Sequence, residues 1–302
     1  MLAFGNLQLI PGYGCGRINV TTTIINNIAV CVCTRNRPDE LYKCLSSISG
    51  CGELVKEIVV SDDSTNDKTK EMVIRNFPSI TYVKGPCKGL GANRNVAFSA
   101  SSAPFVIFLD DDALISKNFI LEMENFCQSN KVDLSSTIIS GGQIEYGKLV
   151  NPHKQDYFGF QSVEYEAGEE YETINIMATV FPRSILLKTR FDELLIYGYD
   201  EVDICARARE IGAVIAYCPS AIIEHFPSPV NREYYKPFKE ASRIYVTYKK
   251  HRIINKNTAY AWTYLLIAMS HLLASRIKNS GFYGIAEFFK TGNIALAYIR
   301  SC

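Results

Sequence analysis

Between residues 28 and 112 the chain repeats one arrangement: a mostly apolar run of strand length, then a polar turn, then a segment of helical period. The runs are Ile28–Cys33, Glu57–Val60, Ile80–Val83 and Phe105–Leu109. The apolar ones carry no polar alternation, so neither face of such a strand can be left to water, which is the mark of parallel strands covered on both sides. Strands that alternate with helices make crossover connections, and the chain is therefore of the α/β class. Pro38-Asp39-Glu40 opens the first helix, with proline in the first turn and acids behind it. Leu41, Leu45 and Ile48 give that helix its apolar stripe. Lys70–Phe77 and Ala92–Ala100 read as the next two helices, the second reached through a glycine-rich loop, Gly85–Gly91.

Farther along, a helix is expected from Ser116 to Asn130, then a long polar loop over 145–172. Ile174–Phe181 reads as a strand, Pro182–Lys188 as a short helix and Glu201–Ile211 as a longer one. Ala213–Tyr217 and Ala221–Ile223 read as two short strands, and Tyr234–Ser301 as two or three helices. Residues 1–26 show no period and read as an irregular arm or edge strand. The organisation expected is an arm over 1–27, an α/β unit over 28–230 made of halves 28–115 and 116–230, and a helical region over 231–302.

Composition narrows the function. The chain has 302 residues, with 32 Lys and Arg against 31 Asp and Glu, so no basic excess is available for coating nucleic acid. Ten cysteines include no Cys-x-x-Cys pair and no zinc spacing. They read as buried free thiols, which suits a reducing cytoplasm. Residues 1–19 lack a basic start followed by a solid apolar stretch, so no signal peptide is expected. The most apolar window, Ala259–Ser275, is shorter than the ~20 residues of a membrane span and contains His271. A buried or interfacial helix is expected there. Lys249, Lys250, His251, Arg252, Lys256, Arg276 and Lys278 around it permit peripheral contact with the inner face of a membrane, and the apolar segment would equally suit a homodimer contact.

In an open parallel sheet, ligands bind at the carboxyl ends of the strands. Three polar groups stand there: Asp62-Asp63-Ser64, Asn93-Arg94-Asn95 after the glycine loop, and Asp110-Asp111-Asp112. Three adjacent carboxylates repel unless a cation neutralises them, and hard oxygen ligands favour Mg²⁺ or Mn²⁺ shared with substrate phosphates. On an extended chain Asp110 and Asp112 would point one way and Asp111 the other. Asp63 could accept a ring N–H, which uracil, thymine and guanine offer, or it could be an Asx-turn residue. Arg94 could reach phosphate or base, or form a surface ion pair. In Tyr197-Gly198-Tyr199-Asp200-Glu201-Val202-Asp203, the glycine permits a turn and the acids open a helix. Three acids in four positions opposite a metal site point to a catalytic base. His225, after the last strand, is a candidate third metal ligand.

The order of these parts resembles the GT-A fold glycosyltransferases of family 2, inverting enzymes that use nucleotide-diphosphate sugars. The resemblance covers about residues 28–226. It is carried by VCVCTRNRPDELYKCLSSI, EIVVSDDSTNDKT, GLGANRNVAFSASSAPFVIFLDDD and FDELLIYGYDEVDICARAREIGAVIAYCPSAIIEH. It implies a Rossmann-like, mostly parallel central sheet flanked by helices, here with a C-terminal helical extension. It also implies that Thr34 and Arg35 line the nucleotide pocket, that Asp63 reads the base, and that Arg94 lies near base and diphosphate. Asp110–Asp112 resembles the family's DxD segment, with Asp111 near the ribose and Asp112 on the metal, Mn²⁺ or Mg²⁺, and with Asp110 and His225 as further candidate ligands. Glu201 falls where the family's general base stands. The pair is Asp-Glu where the family has Glu-Asp, so Asp200 stays a candidate beside it. The implied donor is a UDP- or dTDP-linked sugar, and the acceptor a hydroxyl of a glycan or lipid-linked molecule.

Two other readings compete. A sugar-nucleotide-forming nucleotidyltransferase would begin with a Gly-rich basic loop, and Ile28–Pro38 contains no glycine. A non-catalytic nucleotide-binding module would not need intact acids at Asp63, Asp110–Asp112 and Asp200–Asp203.

Overall fold

The computed structural model describes residues 23–228 and 232–302; the expected arm over 1–27 falls largely outside these. The first half follows the sequence pattern: β1 (Ile28–Thr34), α1 (Pro38–Ser49), β2 (Glu57–Asp62), α2 (Lys68–Asn76), β3 (Thr81–Lys84), α3 (Leu90–Ser99) and β4 (Phe105–Asp110). β1 lies between β2 and β4, all parallel, with Cys33 opposite Ser61 on one side and Asp110 on the other. The apolar runs fill both faces of the sheet. Ile28, Val30 and Val32 of β1 point into one core with Leu41, Leu45 and Ile48 of α1. Cys31 and Cys33 point into the other, with Phe98 and Phe108. Seven cysteines are buried free thiols, while Cys87 and Cys302 are exposed; Cys15 lies outside the described residues.

After β4 come β5 (Ala113–Leu114), α4 (Lys117–Ser129), β6 (Thr137–Glu145), β7 (Lys148–Val150), β8 (Lys154–Gln155), β9 (Gln161–Val163), β10 (Thr179–Pro182), α5 (Arg183–Thr189), α6 (Asp200–Glu210) and β11 (Val214–His225). Ser116 caps α4 by accepting from the Phe119 amide. The main sheet runs β3-β2-β1-β4-β10-β6-β11-β5, with β7 on β6. β10 is antiparallel to both neighbours, so a parallel half and a smaller mixed half share one sheet.

Four expectations change. β6, a central strand, was not expected, because Gly141-Gly142 interrupts its apolar pattern. Those glycines are needed: a Cβ on Gly141 would lie 2.2 Å from the Ala221 carbonyl oxygen of β11. The two short strands expected over 213–223 are one strand, β11, irregular between Tyr217 and Ile222. The strand expected over Ile174–Phe181 is shorter, since Ile176–Ala178 is a 3₁₀ turn. Within 145–172, β7, β8 and β9 interrupt the expected loop.

Three helices follow: α7 (Arg232–Lys249), α8 (Thr258–Ser280) and α9 (Tyr283–Arg300). They bury a third core that includes Leu195, Tyr199 and Val202 from the region of α6, together with Tyr245, Tyr264, Leu272 and Tyr298. The Lys249 amine ties α7 to both Asp192 (2.6 Å) and Asp203 (2.8 Å).

Candidate active site

β4 stops at Asp110, and the chain turns there into β5. The turn brings Asp111 and Asp112 to one cation: Arg37 Nη1 lies 2.5 Å from Asp111 Oδ1 and 3.0 Å from Asp112 Oδ2. The alternation expected of an extended triplet therefore fails, because the strand has already ended. Thr34 Oγ1 donates to Asp111 Oδ2 at 2.8 Å. Burial pushes the Asp111 carboxyl up to about 7, against the downward pull of Arg37 and Thr34. At Asp112 burial also pushes upward, but His225 and Arg37 outweigh it and hold the carboxyl below its usual range.

Sheet register explains why His225 is near. β5 pairs antiparallel with β11, setting Ala113 opposite His225, and the Phe226 amide donates to the Asp112 carbonyl at 2.9 Å. His225 Nε2 then lies 3.4 Å from Asp112 Oδ1, and Nδ1 lies 2.8 Å from Glu145 Oε1. Gln143 Nε2 donates to the same Glu145 oxygen at 2.6 Å. Burial would lower the His225 pKa, but its bonds to Asp112 and Glu145 raise it overall. A carboxylate beside an imidazole, the imidazole steered from behind by a second carboxylate, is donor chemistry that suits Mn²⁺ or Mg²⁺. Asp110 is not part of this pair, for it turns to Arg94. Among the described residues no three His, Cys, Asp or Glu side chains are grouped to hold a metal. The residues present fit a divalent ion that takes two protein ligands, Asp112 and His225, and completes its shell with substrate oxygens and water.

Arg94 is almost fully buried on α3. Its Nη2 donates to Asp110 Oδ1 at 3.0 Å, and its Nη1 pairs with Asp200 Oδ2 at the start of α6. It is a buried bridge between two acids, not a surface ion pair. The approach to α6 is set by two successive left-handed residues, Gly198 (φ 78°) and Tyr199 (φ 64°). A non-glycine residue held at positive φ stores strain of order 1–3 kcal/mol, and such positions cluster at functional sites. Asp200 is buried on Arg94, whereas Glu201 is partly exposed. Burial raises the Glu201 pKa, opposed by its own amide, Arg94, Lys239 and a hydrogen bond with Gln161. Asp203 is held by Arg207 (2.5 Å) and Lys249 (2.8 Å) and serves the packing of α6.

Asp63 lies just past β2, its amide bonded to the Thr34 carbonyl at 2.9 Å. The Asx turn is made by Asp62, whose Oδ1 accepts from the Ser64 amide at 2.7 Å. Asp63 Oδ1 accepts from the Cys87 amide at 2.8 Å. Burial raises its pKa, with the Cys87 N–H and the nearby charge of Arg35 pulling the other way. Arg35 itself is exposed. Gly85 closes on this group: a Cβ there would lie 2.2 Å from Asp63 Oδ1 and 2.4 Å from Asn93 Oδ1.

One chain of polar contacts thus runs Asp63–Thr34–Asp111–Arg37–Asp112–His225–Glu145, and a second runs Asp110–Arg94–Asp200. Arg37, Glu145, Gln161 and Lys239 were not expected from sequence. Arg37 carried a signal, since it stands just past the carboxyl end of the first strand. Glu145 meets His225 only through β6, and nothing in the local sequence marks it. An open cleft of about 300 Å³ flanks His225, lined by Ile144, Tyr146, Gly147, Glu224, Phe226 and Pro227.

Comparison with known proteins gives these features a context. A family model described as "Glycosyl transferase family 2" matches residues 29–194. Over 94 residues the chain is 36% identical to the GalNAc(5)-diNAcBac-PP-undecaprenol beta-1,3-glucosyltransferase of Campylobacter jejuni, a match over 28% of this chain and 29% of that protein. The chain thus spans less than a third of that relative's length. Among solved structures, GalNAc-T7 with UDP, GalNAc and Mn²⁺ superposes with a TM-score of 0.58 at 13% identity, over 74% of this chain and 48% of that one. TarS residues 1–349 of S. aureus in complex with UDP superposes with a TM-score of 0.53 at 16% identity, over 91% of this chain and 92% of that one. At such identities the likeness is one of fold.

Proposed function

The chain belongs to glycosyl transferase family 2, and on that premise we propose that it moves a sugar from a UDP- or dTDP-linked donor to a hydroxyl of a glycan or lipid-linked acceptor, with inversion at the anomeric carbon. The observation that carries this reading is the double role of Arg94, which joins Asp110 of the acidic triplet to Asp200 at the helix bearing Glu201. The acidic triplet at the proposed diphosphate side is thereby joined to the helix that carries the candidate catalytic base. The glucosyltransferase name of the Campylobacter relative and the UDP in the two structural neighbours agree with this class of donor.

In this scheme Asp63 accepts the ring N–H of uracil or thymine, held in place by the Cys87 amide. Thr34 and Arg35 border the nucleotide, and Asp111 faces the ribose, fixed by Thr34 and Arg37. Asp112 and His225 are the residues that would hold Mn²⁺ or Mg²⁺, and the ion would supply charge neutralisation for the leaving diphosphate. Arg94, buried between Asp110 and Asp200, holds these two carboxylates in place beside that end. The Glu201 carboxylate takes the acceptor hydroxyl proton. The acceptor oxygen bonds to the anomeric carbon as the bond from that carbon to the diphosphate oxygen breaks, and the nucleoside diphosphate leaves with the electron pair. Asp200, bound to Arg94, positions the turn and is the second candidate for the base.

A thermal-shift panel of nucleotide sugars with Mn²⁺ tests the donor class. A UDP- or dTDP-linked sugar well above its Kd should raise the melting temperature, by about 2.7 kcal/mol of stabilisation at a hundredfold excess over Kd. CDP- and ADP-linked sugars should not. Stabilisation by those instead would remove Asp63 as the base reader.

A further inference from the structure

The most exposed large apolar side chains among those of the described residues are adjacent: Phe282 (86%) and Tyr283 (83%). They sit at the tip of the hairpin formed by α8 and α9, where Gly281 ends α8. A second feature continues from the tip. Trp262, Leu266, Leu273 and Ile277 fall at i, i+4, i+11 and i+15 on α8, one stripe of the helix. Leu266 is 70% exposed, Trp262 51% and Ile277 44%. The opposite side of α8, through Tyr264, Leu265, Ala268 and Leu272, is buried against the other helices. The stripe is therefore surplus to packing. No helix among the described residues is long and apolar enough to cross a membrane.

Charge is distributed to match. From residue 249 to 302 the sequence holds eight Lys and Arg against a single acid, Glu287. That acid is paired with Arg276, while Lys249 pairs with Asp192 and Asp203 and Lys250 with Glu172, acids from outside this stretch. Lys278, in the last turn of α8, and Lys290, two turns into α9 near Glu233 and Glu287, are exposed and form no ion pair among the described residues. An apolar stripe with aromatic residues at one end and unpaired lysines beside it fits a helix that lies in the interface of a bilayer. A second copy fits less well. In a two-fold contact the same patch faces itself, so Lys278 and Lys290 would meet their own kind. A protruding hairpin tip also suits insertion between headgroups better than a flat contact.

We propose that this chain docks on an anionic lipid bilayer through the exposed stripe of α8 and the Phe282–Tyr283 tip, with Lys278 and Lys290 against the headgroups. The docking does not depend on which donor or acceptor the site uses.

The chain contains one tryptophan, Trp262, and it lies on the stripe. Its emission therefore reports docking without a label. Purified protein is mixed with phosphatidylcholine vesicles with or without phosphatidylglycerol, and binding is read by flotation and by Trp262 fluorescence. Co-flotation and a blue shift are expected with the anionic vesicles and not with the neutral ones, and both should weaken as salt is added. Phe282→Ser with Tyr283→Ser should cut partition by at least about a hundredfold, given two aromatic side chains withheld from the lipid. Lys278→Gln with Lys290→Gln should cut it roughly 30-fold. Both variants change exposed positions, so their melting temperatures should match the parent. Absence of flotation on anionic vesicles overturns the proposal. So does equal binding to neutral vesicles. A lipid-free dimer that Phe282→Ser with Tyr283→Ser dissociates also overturns it, by assigning the surface to a second copy.

Discussion

Asp200→Asn and Glu201→Gln separate two neighbouring acids that differ in what they touch. Asp200 and Arg94 form an ion pair with both side chains almost fully buried, at 4% and 2% exposure. Removing one partner of such a pair costs about 3–5 kcal/mol, because the other charge is left uncompensated. Arg94 keeps Asp110 at 3.0 Å, and asparagine keeps an acceptor oxygen, so the lower end, about 3 kcal/mol, applies. At about 2–4 °C per kcal/mol for a chain somewhat smaller than this one, the melting temperature should fall by roughly 6–12 °C. Among the described residues Glu201 forms no buried ion pair of this kind, although the charges of Arg94 and Lys239 and a hydrogen bond with Gln161 act on it. Burial raises its pKa, so the fold favours its neutral form, and glutamine should leave the melting temperature unchanged or slightly higher. Turnover should respond in the other sense. Glu201→Gln removes the proposed base and should lower the rate by about 10²–10⁴-fold while donor binding persists. Differential scanning fluorimetry and a sugar-transfer assay on both variants read the two axes. Near-normal turnover in Glu201→Gln, together with an Asp200→Asn protein that melts like the parent but is inactive, would exchange the two roles.

Further outcomes follow from the same geometry. With its pKa raised, Glu201 is a competent base only above the ordinary glutamate value of 4.5, so the acid limb of kcat/KM should lie above pH 4.5; a limb at or below that value refutes the assignment. The same shift favours folding fully below the unfolded value and less as pH rises through the folded one, and Glu201→Gln should abolish that dependence in pH-resolved melting curves. Asp112→Ala should remove most Mn²⁺ affinity measured by calorimetry, and Glu145→Ala should weaken it about 10–100-fold by releasing the His225 ring; unchanged affinity in both removes the metal from this place. Gly85→Ala places a methyl 2.2 Å from Asp63 Oδ1, so UDP affinity should fall with little change in Mn²⁺ affinity.

What could be read from sequence and what could not divide along physical lines. β1, β2 and β4 were legible because strands buried on both faces have little polar alternation, and the acids stood out because they follow those runs directly. β6 was invisible because Gly141 and Gly142, required by the close approach of β11, remove the side chains that would have marked it. β11 looked like two strands because Pro219-Ser220 falls at its irregularity. Asp63, Arg94, Asp200 and Glu201 could be named one by one, but not the buried Arg94 bridge, which joins residues 94 and 200 through tertiary packing. Glu145 was missed for the same reason, its partner His225 lying 80 residues away.

The third core has a mechanical consequence. Val202 and Tyr199, on and just before the helix that bears Asp200 and Glu201, are buried by α7, α8 and α9, and the Lys249 amine clamps that helix from below through Asp203. The C-terminal helices are thus the anvil on which Asp200 and Glu201 are seated. A change in their tilt, whether from mutation, truncation or contact with another surface, would be transmitted to Glu201 as a change of aim, with the nucleotide end of the sheet left as it was.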